Sequence, residues 1–293
     1  MVRQTSSLLR QTSSLVKQTV TEWINDDAMR LSASLAYYTL FSLAPLLLVL
    51  AVVVRWVLGD PNAQERMLTE IGGLAGTDVA AAMQSLLESS QRERGAGWWG
   101  VLVGMVTVLL GASAAFNELR YDLNRIWNVE PPVDPKWTDW IKRRLFAFLV
   151  VLGVGVLMAV SFAASATLTA AGQYFSDRLP VPLLVLQGWN LTVSLAVLTV
   201  LFALLFKVLP DTHIEWRDVW LGSAVTALLF LAGRTAITQY LVTSGLSSSF
   251  GAAGSVVALL AFVYYSTLMF FLGAEFTQVA ATRRKGGKEK TVE

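Results

Sequence analysis

The residues of this sequence that could do chemistry include two charges set inside apolar runs. Arg234 lies in LLFLAGRTAITQYL, residues 228–241, and Glu275 lies in LMFFLGAEFTQVAA, residues 268–281. An arginine at the centre of a bilayer costs about 2.5–3.5 kcal/mol on insertion scales, so such a residue usually faces a partner or a water-filled cavity. Both residues are therefore candidates for a pathway that a substrate or an ion takes through the protein.

Conventional catalytic groups are sparse. The one histidine, His213, lies in the loop segment LPDTHIEWRDVW, and the chain has no cysteine, which excludes disulfides and thiolate metal sites. The sequence contains no HExxH, P-loop or nucleophile elbow. The acids beside His213 leave a weak metal site open, but a nuclease needs a tighter carboxylate cluster and a basic groove. We therefore expect no enzymatic activity, no cofactor, no metal and no nucleic-acid partner.

The elements that must position Arg234 and Glu275 are long apolar runs. Hydrophobic residues make up 54% of the 293 residues and charged residues only 15%, whereas soluble domains carry about 25% charged residues. Runs of about 20 apolar residues are long enough to cross a bilayer as helices. The sequence therefore predicts an all-α polytopic membrane bundle of six transmembrane helices, near Leu31–Leu58, Trp98–Phe116, Leu145–Ala171, Pro182–Val208, Val219–Val242 and Gly254–Ala281.

The distribution of positive charge predicts the orientation of this bundle. Seventeen Lys and Arg residues fall on the side of the two termini and four on the opposite side, while Arg55 and Arg234 fall inside spans. Positively charged loops stay in the cytoplasm. We therefore expect a multi-pass protein of the bacterial inner membrane with both termini cytoplasmic.

The segments outside the spans complete the predicted organisation. The N-terminal repeat VRQTSSL–LRQTSSL–VKQTVTE aligns Val2, Leu9, Val16 and Trp23 at a period of seven, which favours an amphipathic helix on the inner leaflet over a short coiled coil. The predicted domains are this helix at 1–30, the six-span domain at 31–281 and a basic cytoplasmic tail at 282–293. Within the six-span domain lie an outer helical segment at 59–97 and a cytoplasmic segment at 117–144.

Other polar residues inside the spans suggest partners for the two charges. Asn190 lies at a depth similar to that of Arg234, and Tyr264 shares a helix face with Glu275. A direct Arg234–Glu275 salt bridge would have to span more than about 10 Å along the helix axes. Further candidates lie near the level of Glu275 and in the first span: Tyr37, Tyr38, Asn117 and a hinge at Pro45. The alternative is that these residues serve helix packing alone.

Three stretches carry a resemblance to a known family. They are SASLAYYTLFSLAPLLLVLAVVV in the first span, FNELRYDLNRIWNVE after the second, and FGAAGSVVALLAFVYYSTLMFFLGAEFTQVAA in the last. Together they resemble the YihY/BrkB family of bacterial inner-membrane proteins over most of the chain. The resemblance implies a six-span architecture, a link to virulence in some bacteria, and a former label, ribonuclease BN, that is regarded as a misassignment. Movement of lipids or amphiphilic small molecules fits the family.

These observations lead to one functional hypothesis and two rivals. We expect a transporter or flippase for an anionic or amphiphilic small molecule or lipid, with a polar cavity in which Arg234 offers a fixed positive charge. The alternative is a non-catalytic membrane scaffold, and a less favoured one is a membrane-associated hydrolase using His213 or the 118–144 segment. The expected partners are membrane lipids and the substrate, and the sequence leaves a homo-oligomer open.

Overall fold

The computed structural model describes residues 2–42, 77–92, 114–129, 183–244 and 253–289, together with positions 65, 67–69, 72, 153, 156 and 250. Helices account for nearly all of them, and no strand occurs in these ranges. The all-α prediction is therefore confirmed for the described part of the chain.

Seven helices lie in the continuous described ranges, and positions 65, 67–69, 72, 153 and 156 are also helical. The seven helices are α1, Val2–Asn25; α2, residues 28–42; α3, Thr77–Arg92; α4, residues 114–126; α5, Leu183–Val208; α6, Trp216–Ser244; and α7, Gly254–Glu289. Helix α7 extends eight residues past the predicted end of the last span at Ala281, into the segment predicted as a tail.

Three of these helices are long and apolar enough to cross a membrane, with candidate spans at Leu191–Val208, Trp216–Leu241 and Gly254–Arg284. They coincide with the last three of the six predicted spans. The predicted spans at 31–58, 98–116 and 145–171 lie wholly or largely outside the described residues. The count of six therefore stays a prediction.

Helices α6 and α7 pack closely and antiparallel. Three contacts show the direction: Thr277 lies over Gly222, Thr226 over Gly273, and Tyr265 over Gly233. Residue numbers therefore increase along α6 as they decrease along α7. Each threonine donates its hydroxyl to the carbonyl oxygen of the glycine on its own helix at 2.7 Å. Small residues four apart bring two helix backbones close together in membranes.

The main core lies where α5, α6 and α7 meet α2 and α4. Its centre is aromatic: the Phe202 ring lies 5.8 Å from that of Phe270, and the Phe206 ring lies 5.0 Å from it. Leu31 and Leu35 of α2 and Leu123 and Ile126 of α4 are buried in the same cluster. This core holds the α5–α6 hairpin and α7 in one body.

Helix α1 packs along the C-terminal part of α7. The Arg283 guanidinium donates hydrogen bonds to the Gln18 Oε1 atom at 2.8 Å and to the Ser14 Oγ atom at 2.9 Å. Thr19 is buried, whereas Val16, about one turn earlier in α1, is 58% exposed. The apolar positions predicted to form one stripe therefore divide, with Trp23 against the core and Val16 on the outside.

Candidate functional site

A cavity of about 290 Å³ lies between α2, α4, α5, α6 and α7. Five phenylalanines from four helices line it, together with aliphatic and small residues: Leu35, Thr39, Ser42, Ala115, Phe116, Leu119, Phe202, Leu205, Phe230, Phe262, Val263, Ser266, Thr267 and Phe270. No charged residue belongs to the described lining. The volume is close to the lower end of the range for small-molecule pockets, about 300–1,000 Å³.

Three hydroxyl groups in the cavity wall donate hydrogen bonds to carbonyl oxygens of their own helices. The Ser266 hydroxyl donates to the Phe262 carbonyl oxygen at 2.7 Å, the Thr267 hydroxyl to the Tyr264 carbonyl oxygen at 2.8 Å, and the Ser42 hydroxyl to the Thr39 carbonyl oxygen at 3.1 Å. Since these donors are satisfied within the helices, the wall that faces the cavity is apolar. A hydrocarbon group fits such a surface, whereas a small ion does not.

Arg234 lies one helical turn from this cavity. It follows the lining residue Phe230 by four positions on α6, which corresponds to about 6 Å along the axis and to nearly the same face. Its side chain is half-buried. The described residues supply no acid within salt-bridge distance of Arg234, whereas four other arginines do form ion pairs there. Arg234 is thus a cation close to an apolar cavity.

Glu275 occupies a separate place near the Trp216 end of α6. Gly233 meets Tyr265 on α7, and Glu275 follows Tyr265 by ten residues, so the two charges lie about 15 Å apart along the helix axes. No ion pair joins them in the described structure. Glu275 is only 1% exposed, and within the described ranges no group donates a hydrogen bond to either of its carboxyl oxygens.

Within the described residues, no hydrogen bond or ion pair joins the remaining candidates to either charge. Tyr264 is half-buried on α7. Tyr37 and Tyr38 are exposed on α2, where the Tyr37 ring packs edge-on against Phe41 at 4.9 Å. Asn117 is exposed on α4. The backbone of Asn190 lies in α5, but its side chain is outside the described part of the structure, as is all of Pro45.

Asp122 is a buried acid that sequence reasoning did not single out. It lies on α4 inside FNELRYDLNRIWNVE, is fully buried, and has no hydrogen-bond partner for either carboxyl oxygen in the described structure. Burial, and secondly the Glu118 carboxylate, raise the pKa of Asp122 from its ordinary 3.8 to about 8, against an opposing effect of Arg125. The sequence indicates the burial of Asp122 only through helical spacing. Asp122 lies next to Leu123 and one turn before Ile126, and both of these apolar residues are in the core.

Helix α4 also ties together two connecting segments. Arg125 forms an ion pair with Asp27 in the turn after α1, and Arg120 forms one with Asp211 in the loop between α5 and α6. Asn124 bonds the same Asp211 through its side-chain amide at 2.8 Å. His213 is exposed in that loop. In the described part of the chain, no three His, Cys, Asp or Glu side chains are arranged to hold a metal ion.

Comparison with known proteins relates this arrangement to one family. The family model described as virulence factor BrkB matches residues 19–293. The putative ribonuclease-like protein YfkH of Bacillus subtilis (strain 168) is 23% identical over 258 residues, which cover 87% of this chain and 90% of that protein. No solved structure matches the chain.

Two further relatives carry membrane-protein names. A UPF0761 membrane protein of Pseudomonas aeruginosa (strain LESB58) is 26% identical over 262 residues, covering 86% of this chain and 59% of that protein. A UPF0761 membrane protein of Klebsiella pneumoniae (strain 342) is 26% identical over 220 residues, covering 74% and 70%. Because the family model spans almost the whole chain, and three helices are able to cross a bilayer, this protein belongs to the BrkB virulence-factor family of membrane proteins.

Proposed function

We propose that this protein is an inner-membrane transporter or flippase for an anionic amphiphile, with a lipid as the favoured substrate. The observation that carries the proposal is the phenylalanine-lined cavity, because its satisfied hydroxyls and aromatic wall suit a hydrocarbon chain. Arg234, one turn away on the same face of α6, would hold a phosphate or carboxylate headgroup. The seventeen-to-four bias of positive charge supports cytoplasmic termini.

The spacing of the two features matches the chemistry of a lipid. A headgroup and its acyl chains are joined by a short linker, so a cation about 6 Å from an apolar pocket is suitably placed for one molecule to reach both. A guanidinium binds phosphate and carboxylate oxygens with two parallel hydrogen bonds. The sequence predicted a polar cavity around Arg234. The described cavity is apolar, and Arg234 lies one helical turn from it.

Filling the cavity tests this function. We expect Ser266→Phe to slow lipid translocation about tenfold or more, which is the loss produced by about 1.4 kcal/mol of weakened binding. The measurement is chemical quenching of a fluorescently labelled phosphatidylglycerol in proteoliposomes that contain the purified full-length protein. The matched control is Leu260→Phe, an aromatic of the same size at a position of α7 that is 38% exposed and outside the described cavity lining.

The two variants must first show the same thermal stability in detergent as the wild type. If a folded Ser266→Phe protein moved the labelled lipid as fast as Leu260→Phe, the cavity would have no part in translocation. If the wild-type protein moved no lipid above the rate of protein-free vesicles, the transport proposal itself would be wrong, and a scaffold would be the better description.

The positive charge of Arg234 has its own expected signature. Arg234→Ala should reduce translocation of labelled phosphatidylglycerol more than that of labelled phosphatidylcholine, because the guanidinium attracts an anionic headgroup. Arg234→Lys, which keeps the charge but loses the planar fork, should retain part of the preference. An unchanged ratio of the two lipids in a folded Arg234→Ala protein would remove Arg234 from the proposed site.

A further inference from the structure

The surroundings of Glu275 suggest a second site, separate from the cavity. Glu275 is 1% exposed inside an apolar helix, and no group in the described structure donates a hydrogen bond to its carboxyl oxygens. Moving an ionised carboxylate from water into such a place is very costly, and a carboxyl group avoids that cost by binding a proton.

Helix α1 covers Glu275 with a face of regular spacing. Four residues near the end of α1 have the spacing of one helix face, because each lies one, three or four positions from the next: Thr19, Glu22, Trp23 and Asp26. Thr19 is 4% exposed, and both its hydroxyl and the Trp23 indole N–H are buried without a partner in the described residues. Two unsatisfied donors therefore lie on the same face of α1 as the acids that interact with Glu275.

The charged groups facing Glu275 come from the end of α1 and the turn that follows it. The half-buried Asp26 carboxyl shares a side-chain hydrogen bond with Glu275, and the Asp26 and Glu22 carboxyls both interact with it electrostatically. Arg283 and Arg284 on α7 itself lie eight and nine residues further on, about 12–14 Å along the axis. Arg283 binds Gln18 and Ser14, while Arg284 pairs with Asp218 at the start of α6 and with Glu215.

We propose that Glu275 is a proton-binding site closed by α1, with its carboxyl group set against those of Asp26 and Glu22. In the closed arrangement Glu275 carries the proton and α1 is docked on α7. Release of the proton leaves a buried carboxylate beside the acids Asp26 and Glu22, and the repulsion between like charges drives α1 away from α7. A proton is favoured over a metal ion because no three acids converge in a metal-binding geometry in the described ranges. The inference does not depend on which substrate the protein moves.

Single cysteines report the position of α1, since the native chain has none. A thiol at Thr19→Cys should be protected while α1 is docked and should react as α1 moves away. Val20→Cys, at a position 42% exposed on the same helix, corrects for ionisation of the thiol itself. The ratio of the two labelling rates should rise with pH by up to about tenfold per pH unit, because opening releases one proton. Glu275→Gln, which is always neutral, should abolish the rise.

Two outcomes of this experiment would overturn the proposal. One is a pH dependence of the ratio that is the same in the Glu275→Gln variant as in the protein that keeps Glu275. The other is a ratio that follows sodium concentration at fixed pH, which would make the bound cation sodium. The purified full-length protein in lipid nanodiscs serves for all measurements.

Infrared spectroscopy tests the same site without any variant. In wild-type protein labelled with ¹³C at its glutamate carboxyl groups, we expect the band of a protonated carboxyl at pH 7, where solvated glutamates are ionised. The glutamate label excludes a contribution from Asp122. Absence of this band at pH 7 would contradict the proposal even if Glu275→Gln failed to fold.

Discussion

Arg234 and Glu275 are both ionisable residues in apolar helices, but their surroundings differ. Arg234 is half-buried and lies one turn from an apolar cavity, so an external anion is able to satisfy it. Glu275 is enclosed by its own chain and has two further acids for neighbours. At the residue scale, the enclosure of each group therefore distinguishes the proposed substrate contact at Arg234 from the proposed proton site at Glu275.

Asp122 gives a residue-scale prediction for stability. Because its pKa is raised to about 8, the folded protein holds a proton that the unfolded chain releases above about pH 4. This contribution to stability is complete below pH 4 and is lost as the pH rises to about 8, by about 1.4 kcal/mol per pH unit. Asp122→Asn cannot titrate. We therefore expect the thermal stability of the wild type to fall relative to Asp122→Asn between pH 5 and pH 8.

The comparison is made by thermal unfolding of both proteins in the same detergent across this pH range. Glu88→Gln, which removes an exposed carboxylate on α3, is the control and should run parallel to the wild type. A stability difference between the wild type and Asp122→Asn that does not change with pH would show that the buried carboxyl does not hold the proton.

At the scale of elements, α6 and α7 approach each other closely at their glycines. A Cβ atom added at Gly222 would come within 2.7 Å of the Thr277 Cβ atom, and one added at Gly273 would come within 2.7 Å of the Thr226 Cβ atom. Backbone and β-carbon atoms cannot yield as the end of a long side chain can. The two helices must therefore separate or shift if either glycine gains a side chain.

Gly222→Ala and Gly273→Ala should each destabilise the protein by about 1–3 kcal/mol, the usual cost of overpacking a tight core. Gly188→Ala is the matched control, because a Cβ atom there meets nothing within 4 Å and alanine favours a helix. The measurement is the thermal unfolding midpoint in detergent. A midpoint for Gly222→Ala equal to that of Gly188→Ala would contradict the close approach of α6 and α7.

At the scale of the whole molecule, the charge bias predicts which surfaces face the cytoplasm. Single cysteines at Ser13 and Thr282, both exposed, should be labelled by a membrane-impermeant thiol reagent only after the cells are permeabilised. Cysteines at Thr77 and Phe250, also exposed, should be labelled in cells whose outer membrane alone has been opened. Labelling of Ser13→Cys before permeabilisation would contradict the predicted orientation.

Part of the architecture could be predicted from the sequence because its cause is local. Apolar runs with the length of a bilayer span form helices, since every backbone group must be paired inside the membrane. The helices at Leu183–Val208, Trp216–Ser244 and Gly254–Glu289 accordingly begin within a few residues of the predicted spans. The separation of Arg234 from Glu275 followed in the same way from counting residues along helices.

The cavity and the burial of individual acids were decided by tertiary structure. The five phenylalanines of the cavity come from four helices far apart in sequence, and no local spacing reports that they meet. Asp122 and Asn117 lie on one short helix, yet the first is fully buried and the second is exposed. The sequence determined that these segments are helical and apolar, because hydrophobicity and hydrogen bonding act along the chain. Which faces enclose a cavity or a charge depends on the neighbouring helices, because packing acts between distant segments.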